Sequence, residues 1–145
     1  LQMAARLGAD QVIDASRGNA GDHLRDLTDG IGPDIVVETA GAARTPLDAF
    51  DWVRRAGTVV LVGIYAVKPE ADFNVIVGKE LRVIGSVAAG TGDMAAAVRL
   101  VAEREIRLSE LVSDRISLGR VIPDGFERMA AESKEVFRIL VSPDA

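Results

Sequence analysis

Short apolar runs punctuate the first part of the chain and predict its strands. The four runs are Gln11–Asp14, Asp34–Ala40, Gly57–Ile64 and Glu80–Val87. Within the third, Val59–Val62 is apolar at successive positions, whereas a strand exposed on one face would alternate apolar and polar residues. Uninterrupted runs are typical of strands covered on both faces, so the pattern predicts a parallel sheet.

Helical patterns lie between most of these runs. Thr45 and Pro46 predict the start of one helix, as an N-cap followed by proline at the first helical position, and Gly57 predicts its end. A second helix is expected to begin at Asp93, and a weaker one to span Gly21–Thr28. Strands and helices that alternate in this way predict right-handed crossovers and a doubly wound α/β fold.

The two ends of the chain depart from this alternation. Leu1–Gly8 predicts the last turns of a helix, and because no capping residue precedes it, we expect the helix to begin upstream of residue 1. Near the other end we expect a strand at Leu111–Leu118, a short helix at Gly125–Glu132 and a final strand at Val136–Ser142. This change in the order of the predicted elements indicates that the tail from Leu111 belongs to a different layer from the sheet.

Composition and charge narrow the classes of protein. The 145 residues fit one ordinary domain, and acids and bases are interspersed around a net charge of −5, so no basic face predicts nucleic-acid binding. No apolar run approaches the roughly 18 residues of a membrane span, and the start of the chain lacks the pattern of a secretory signal. We therefore expect a cytoplasmic protein with neither nucleic-acid nor membrane partners.

Residues suited to catalysis or metal binding are scarce. The chain has no cysteine and one histidine, His23, which we expect to face solvent on a helix. The glycine fingerprint G-x-G-x-x-G is absent, since Gly90 and Gly92 supply only its first half and Ala95 takes the third position. Thr91 stands where a phosphate loop needs lysine. We predict no catalytic and no metal-binding residue within this chain.

Small residues follow three of the apolar runs. Gly41, Gly63 and Gly85 each stand where a predicted strand ends. Ligands of open α/β sheets lie outside the carboxyl ends of the strands, where glycine lets the backbone approach the ligand closely. Glycines that only make turns would produce the same pattern, so the sequence leaves both interpretations open.

Four segments resemble, in order and spacing, the zinc-type medium-chain alcohol and polyol dehydrogenases. They are Leu7–Asp14, Thr28–Gly41, Gly57–Gly63 and Lys79–Ser86. The resemblance covers almost the whole chain, with sorbitol, butanediol and threonine dehydrogenases as the nearest relatives. The resemblance implies that this chain is only the C-terminal part of such an enzyme. The Rossmann-type sheet of the family has the strand order 3-2-1-4-5-6, and this chain would supply strands three to six.

The resemblance also implies a division of the chain. Residues 1–108 would be a partial dinucleotide-binding domain, and residues 109–145 would return to the catalytic domain of the intact family. The family's first two strands would belong between Gln11–Asp14 and Asp34–Ala40, which leaves a gap of roughly 14 Å between those strands. Such a gap would expose edge backbone and apolar side chains.

The family's cofactor is NAD or NADP, and the resemblance implies which residues face it. The zinc ligands, the glycine fingerprint and most of the substrate pocket would precede Leu1. Arg138 resembles an arginine placed on the pyrophosphate in some members, although an exposed salt-bridging arginine is equally plausible. The residues implied at the adenosine half are Thr39, Ala40 and Gly41, those beside the nicotinamide are Val62, Gly63 and Ile64, and those near it are Gly85 and Ser86.

The implied function is that of an oxidoreductase. In the intact protein, hydride would pass between a secondary alcohol or polyol and the nicotinamide, with zinc polarising the alcohol oxygen. This chain alone would be inactive. One alternative is a non-catalytic, self-associating half-Rossmann module, and another is part of a zinc-free quinone-reductase-like enzyme, although Lys79–Leu81 followed by Gly85 and Ser86 favours the zinc branch. We expect a homo-oligomer formed through the edge strand Glu80–Val87.

Overall fold

The computed structural model describes residues 1–103, 106–132 and 136–143, which form two compact units. The first unit comprises Leu1 and Gln11–Ala89, and the second comprises Gln2–Asp10 and Gly90–Ala145. The helices are α1 (Gln2–Arg6), α2 (Ala20–Asp26), α3 (Thr45–Trp52), α4 (Phe73–Lys79), α5 (Asp93–Ala102) and α6 (Arg128–Ala131). The strands are β1 (Ile35–Glu38), β2 (Thr58–Leu61), β3 (Arg82–Gly85), β4 (Val112–Ser117) and β5 (Arg138–Ser142).

A parallel sheet of order β1-β2-β3 forms the centre of the first unit. Ile35 lies opposite Thr58, and Thr58 lies opposite Arg82, so the three strands start in register and end at one edge. The predicted partial doubly wound parallel sheet is therefore confirmed, with each strand shorter than the apolar run that predicted it.

The first predicted strand, Gln11–Asp14, is not a strand in the structure. A strand needs a neighbour whose backbone groups complete the ladder. The two strands expected between this segment and β1 are not formed by any described residue. Asp14 instead begins a 3-10 turn, where its carboxylate accepts hydrogen bonds from the Ser16 amide at 3.1 Å and hydroxyl at 2.6 Å. The expected open edge is present at β1, which is terminal in the sheet order, and Ile35 and Val37 are exposed on one face of this strand.

The core of the first unit lies between α3 and the sheet. Ala49 and Phe50 on α3 and Val53, directly after the helix, pack with Val59 of β2, and all four are buried. Apolar side chains that are partly buried surround this cluster; they are Val36, Leu61, Ala71, Val75, Ile76 and Leu81. The core is therefore a single apolar layer between the sheet and the segment formed by α3 and Val53.

The bounds of α3 differ from the prediction in an informative way. Thr45 is the first helical residue and Arg44 the cap, so Thr45 does not cap the helix. Its hydroxyl donates to a carboxylate oxygen of Glu38 at 2.6 Å and lies 2.9 Å from the Ala42 carbonyl oxygen. The helix ends at Trp52, well before Gly57, because Val53 is extended and its buried side chain fits the core from outside the helix.

Helix α4 was not predicted. It is short, and its only start signal is Asp72, whose carboxylate accepts a 2.9 Å hydrogen bond from the Asn74 amide. At its end, the Lys79 ammonium donates to the carbonyl oxygens of Phe50 and Asp51 at 2.9 and 2.8 Å. Burial lowers the pKa of Lys79. This lysine, part of the resemblance noted above, joins α4 to the carboxyl end of α3.

The second unit contains its own small sheet, in which β4 pairs with β5 in parallel. Both predicted tail strands are thus confirmed, and the predicted helix between them is a π-helical segment, Val121–Glu127, continued by α6. The Arg128 guanidinium reaches back from α6 to the Asp114 carboxylate of β4 at 2.6 Å. In the same unit, α1 ends before Gly8, whose φ of 109° is the left-handed conformation expected there.

Val59→Ala is expected to lower the free energy of unfolding by about 2 kcal/mol, because its side chain is fully buried and truncation leaves a cavity. The matched control is Val87→Ala, the same change at a residue that is 81% exposed, which should alter stability by less than about 0.5 kcal/mol. Urea unfolding followed by circular dichroism measures both. Equal effects of the two substitutions would contradict the assigned core.

Candidate functional site

The carboxyl ends of the three parallel strands meet at one edge of the sheet. Thr39–Gly41 follows β1, Val62–Ile64 follows β2, and Gly85 ends β3 immediately before Ser86. Backbone hydrogen bonds continue past the strands, since the Val62 amide donates to the Glu38 carbonyl at 2.9 Å and the Ser86 amide to the Leu61 carbonyl at 2.9 Å. Eight of the nine residues predicted to face a cofactor are therefore gathered at this edge.

The ninth predicted residue, Arg138, lies in the second unit. It is the first residue of β5, and its side chain is exposed. The Phe137 amide beside it donates to the Ser113 hydroxyl at 2.9 Å, which ties the start of β5 to β4. Arg138 thus belongs to a different sheet from the one that carries the other eight residues.

Glu38 occupies the centre of the strand-end edge. Only 5% of its surface is exposed, although it is charged. One carboxylate oxygen, Oε1, accepts hydrogen bonds from the Ala40 amide at 2.8 Å, the Gly41 amide at 2.9 Å and the Thr45 hydroxyl at 2.6 Å. The other, Oε2, accepts from the Tyr65 hydroxyl at 2.6 Å. A buried carboxylate thus has four donors from three parts of the chain.

The ionisation of this pair is set by the same contacts. Burial acts to raise the pKa of Glu38, but the hydrogen bonds from Thr45, Tyr65, Gly41 and Ala40 outweigh it, and the net pKa is lowered. Burial, the hydrogen bond to Glu38 and its negative charge together raise the pKa of Tyr65 to about 12. At neutral pH the carboxylate is therefore charged and the phenol protonated, which fixes Tyr65 as the donor.

Two of the strand-end glycines are required for close approach between loops. A Cβ added at Gly63 would overlap Glu38 Oε2 and lie 2.5 Å from the Gly41 nitrogen. A Cβ added at Gly41 would lie 2.5 Å from the Ile64 carbonyl oxygen, and Gly41 has a φ of 66°. A Cβ added at Gly85 would meet nothing within 4 Å. Gly41 and Gly63 therefore serve the packing of one loop on the other, and Gly85 leaves open space.

The concave regions of the first unit include one beside β1 and one beside residues 11–14. A cavity of about 200 Å³ beside β1 is lined by residues 36–40 together with Thr45, Ala49 and Trp52. A larger one, of about 430 Å³, is lined by residues 11–14 and by polar side chains that include Arg17 and His23. His23 is exposed on α2, as predicted, with its Nε2 atom 3.2 Å from the Asn19 amide nitrogen.

Across the described residues, the structure contains no group of three or more histidine, cysteine, aspartate or glutamate side chains that could hold a metal ion. In the same part of the chain, every helix is too short or too polar to cross a membrane.

The network around Glu38 was missed by the sequence analysis. Glu38, Thr45 and Tyr65 were given no role at the site, although Glu38 was recognised as part of the second apolar run. The available signal was an acid within a run expected to be buried, because a buried charge needs partners. The sequence could not show which donors those partners are, since Tyr65 lies 27 positions away.

A parallel sheet with helical crossovers and small residues at its carboxyl edge defines a Rossmann-type α/β protein. Residues 1–103 match the family described as zinc-binding dehydrogenase. The chain belongs to this family, as its resemblance to medium-chain dehydrogenases predicts.

Curated relatives agree with this assignment. The chain is 28% identical over 136 residues to (R,R)-butanediol dehydrogenase of Neisseria gonorrhoeae, covering 94% of this chain and 38% of that protein. It is 29% identical over 147 residues to sorbitol dehydrogenase of Halalkalibacterium halodurans, covering 99% of this chain and 41% of that protein. The chain therefore spans about two fifths of the length of the curated relatives it matches.

Solved structures show the same fold. The 2R,3R-butanediol dehydrogenase of Bacillus subtilis matches with a TM-score of 0.86 and 30% identity, covering 98% of this chain and 40% of that one. An alcohol dehydrogenase of Thermus sp. ATN1 matches with a TM-score of 0.85 and 29% identity, covering 98% and 41%. The architecture described above is thus that of a recurrent part of alcohol dehydrogenases.

Gly63→Ala is expected to lower the free energy of unfolding by about 2 kcal/mol, because the added methyl would press the two strand-end loops apart. Gly78→Ala is the control, since this glycine lies in α4 with nothing within 4 Å of an added Cβ. It should stabilise the protein by about 0.5 kcal/mol, owing to the lower backbone entropy of alanine in the unfolded chain. Chemical denaturation gives both values, and a neutral Gly63→Ala would show that the loops are not tightly packed.

Proposed function

We propose that this chain is the cofactor-domain portion, C-terminal in the intact protein, of a zinc-dependent alcohol or polyol dehydrogenase. The observation that carries the proposal is the collection of eight predicted cofactor-facing residues at the carboxyl edge of one parallel sheet. Ligands of open α/β sheets bind outside this edge. Membership of the zinc-binding dehydrogenase family supports the same conclusion.

The residues at the edge suit the parts of a dinucleotide. In this proposal Thr39–Gly41 faces the adenosine half, and the exposed side chains of Val62 and Ile64 form an apolar wall beside the nicotinamide. Gly85, with open space at its Cα, and Ser86 complete that wall. When bound, NAD or NADP would supply the hydride acceptor, and the chain's own residues would hold its ring in place and exclude water.

Arg138 is proposed to contact the cofactor pyrophosphate. Its exposed guanidinium on β5 is a fork of donors that matches phosphate oxygens. The proposal fits an arginine whose strand is anchored by the hydrogen bond from Phe137 to Ser113.

Zinc does not fit the donor groups of this chain. Cysteine is absent and histidine occurs once, whereas catalytic zinc sites use three protein ligands chosen mostly from these residue types. We therefore derive no step through zinc from these residues. In the proposed enzyme, the metal and the alcohol or polyol substrate would be held by residues outside this chain.

We also propose that residues 1–108 act as part of the dinucleotide-binding domain and that residues 109–145 return to the catalytic domain. The separate β4–β5 sheet of the tail supports this division. Helix α5 packs with the second compact unit, but its place after β3 in the strand–helix alternation favours the first domain. A cytoplasmic location is proposed from the ordinary globular composition.

The proposal predicts that this chain can replace the matching 40% of Bacillus subtilis 2R,3R-butanediol dehydrogenase. The chimera should bind NADH and form it from NAD and 2R,3R-butanediol, because the host supplies the metal site and this chain the strand-end edge. Absorbance of NADH measures turnover, and tryptophan-to-NADH energy transfer measures binding. A folded chimera that retains zinc but neither binds NADH nor turns over would contradict the proposal.

The chain alone is the matched control for that experiment. It should bind no stoichiometric zinc, show no turnover and bind NADH far more weakly than micromolar, because the helix N-terminus that would carry the pyrophosphate is not among its residues. Elemental analysis and calorimetry test these expectations.

Strand β3 is proposed to join two copies of the chain. It is last in the sheet order, and the side chains of Val83 and Ile84 are exposed. The Arg82 amide donates to the Gly57 carbonyl, and the Ser86 amide donates to the Leu61 carbonyl, so both amides face β2. Since successive amides in a strand face opposite sides, the Val83 amide points to the open edge. A second copy related by a two-fold axis could pair there in antiparallel orientation.

Val83→Pro is expected to weaken this dimer and leave the β2–β3 pairing intact, because proline removes an amide that faces outward and is tolerated at sheet edges. Val83→Thr, which keeps both the amide and β-branching, is the control and should remain dimeric. Light scattering across a concentration series measures the association. A wild-type chain that stays monomeric at high concentration would refute the interface.

A further inference from the structure

Glu38 is the one buried charged residue among those that the structure describes. Its position is unusual because it joins the loop after β1 to the loop after β2. The carboxylate accepts from Ala40 and Gly41 in the first loop and from Tyr65 at the end of the second. Its backbone carbonyl also accepts the Gly63 amide at 3.1 Å. Both loops thus converge on one residue.

We infer that Glu38, Thr45 and Tyr65 form a clasp that positions the two strand-end loops for the cofactor, an inference that rests on the proposed function. In this clasp Glu38 is a positioning residue, since it is buried behind the loops and acts through them. Six of the eight gathered residues belong to these two loops. Their relative placement is therefore set by a single carboxylate.

The clasp requires a carboxylate because all four of its partners donate. Two amides and two hydroxyl groups point at the oxygens, and hydrogen bonds to an ionised acceptor are roughly twice as strong as neutral ones. A glutamine would retain the shape but present an NH₂ group to one of these donors. The clasp also requires glycine at position 63, because any side chain there would occupy the space of Glu38 Oε2.

Thr45 connects the clasp to the core. It begins α3, so its hydroxyl bond to Oε1 fixes the carboxylate relative to the helix that buries Ala49 and Phe50. The first turn of a helix also favours negative charge, which adds to the stability of the ionised form. The loops are thereby held relative to the rigid core and not only to each other.

The first test uses the phenol of Tyr65, the only tyrosine in the chain, so its ultraviolet absorbance change on ionisation has a single source. In the wild type the phenol should resist ionisation until about pH 12. In Glu38→Gln the midpoint should fall toward the ordinary value of about 10. Circular dichroism recorded in parallel at pH 11 confirms that both proteins are folded. Equal midpoints would overturn the clasp.

The second test measures cofactor positioning in the same 145-residue chain. Nitrogen-edited NMR spectra recorded with millimolar NADH should show shifts of the Gly41 and Gly63 amides in the wild type. In Glu38→Gln the apparent dissociation constant should rise roughly tenfold, the loss expected for about one charge-assisted hydrogen bond. The amides of Thr58 and Arg82, at the amino ends of β2 and β3, serve as the internal control and should not move.

The outcomes separate this inference from the function on which it rests. Loop amides that respond to NADH equally in wild type and Glu38→Gln would overturn the positioning role and leave the proposed function standing. A protected Tyr65 in a folded chimera that does not bind NADH would contradict the proposed function and support the clasp between the loops. Should Glu38→Gln fail to fold, Tyr65→Phe removes one donor only, and an unchanged NADH response there would overturn the inference.

Discussion

A carboxylate can be buried only where enough donors surround it, and the strand-end edge of this protein is organised by that requirement at Glu38. The turn after β1 points two amides at Oε1, and the first residue of α3 adds its hydroxyl. Tyr65 completes the set from the next loop. The absence of a side chain at Gly63 leaves the space in which these groups meet.

The sheet of the first unit has two edge strands, β1 and β3, each with one side of its backbone unpaired within the sheet. Ile35 and Val37 are exposed at the free edge of β1, and Val83 and Ile84 at β3. Apolar strands with unpaired backbone favour further pairing. Under the proposals above, two additional strands of the family's sheet would pair at β1, and a second copy of the chain would pair at β3. The proposed partners of the two edge strands therefore differ.

The similarity to alcohol dehydrogenases relates this chain to part of a larger protein. The chain covers about two fifths of the lengths of its relatives while nearly all of it is matched. Its fold is therefore shared with larger enzymes, and its family is that of zinc-binding dehydrogenases. In the proposed function, this chain would supply the walls beside a bound cofactor, and the clasp at Glu38 would set the distance between those walls.

Some features of the fold could be predicted from the sequence because they depend on neighbours along the chain. Uninterrupted apolar runs predicted β1, β2 and β3, and Pro46 with its apolar face predicted α3. The ordered segments also identified the family. Helix α4 escaped prediction because it is short and has one capping signal, at Asp72.

Other features were decided only by tertiary structure. Gln11–Asp14 has the composition of a strand, yet without a neighbour to complete its ladder it forms none. Thr45 has the residue type of a helix cap, but in the structure it is the first helical residue and its hydroxyl donates to the Glu38 carboxylate. The partners of a buried charge come from distant positions, so local sequence determined that Glu38 needed donors, and only the packing of two loops and a helix decided which ones it received.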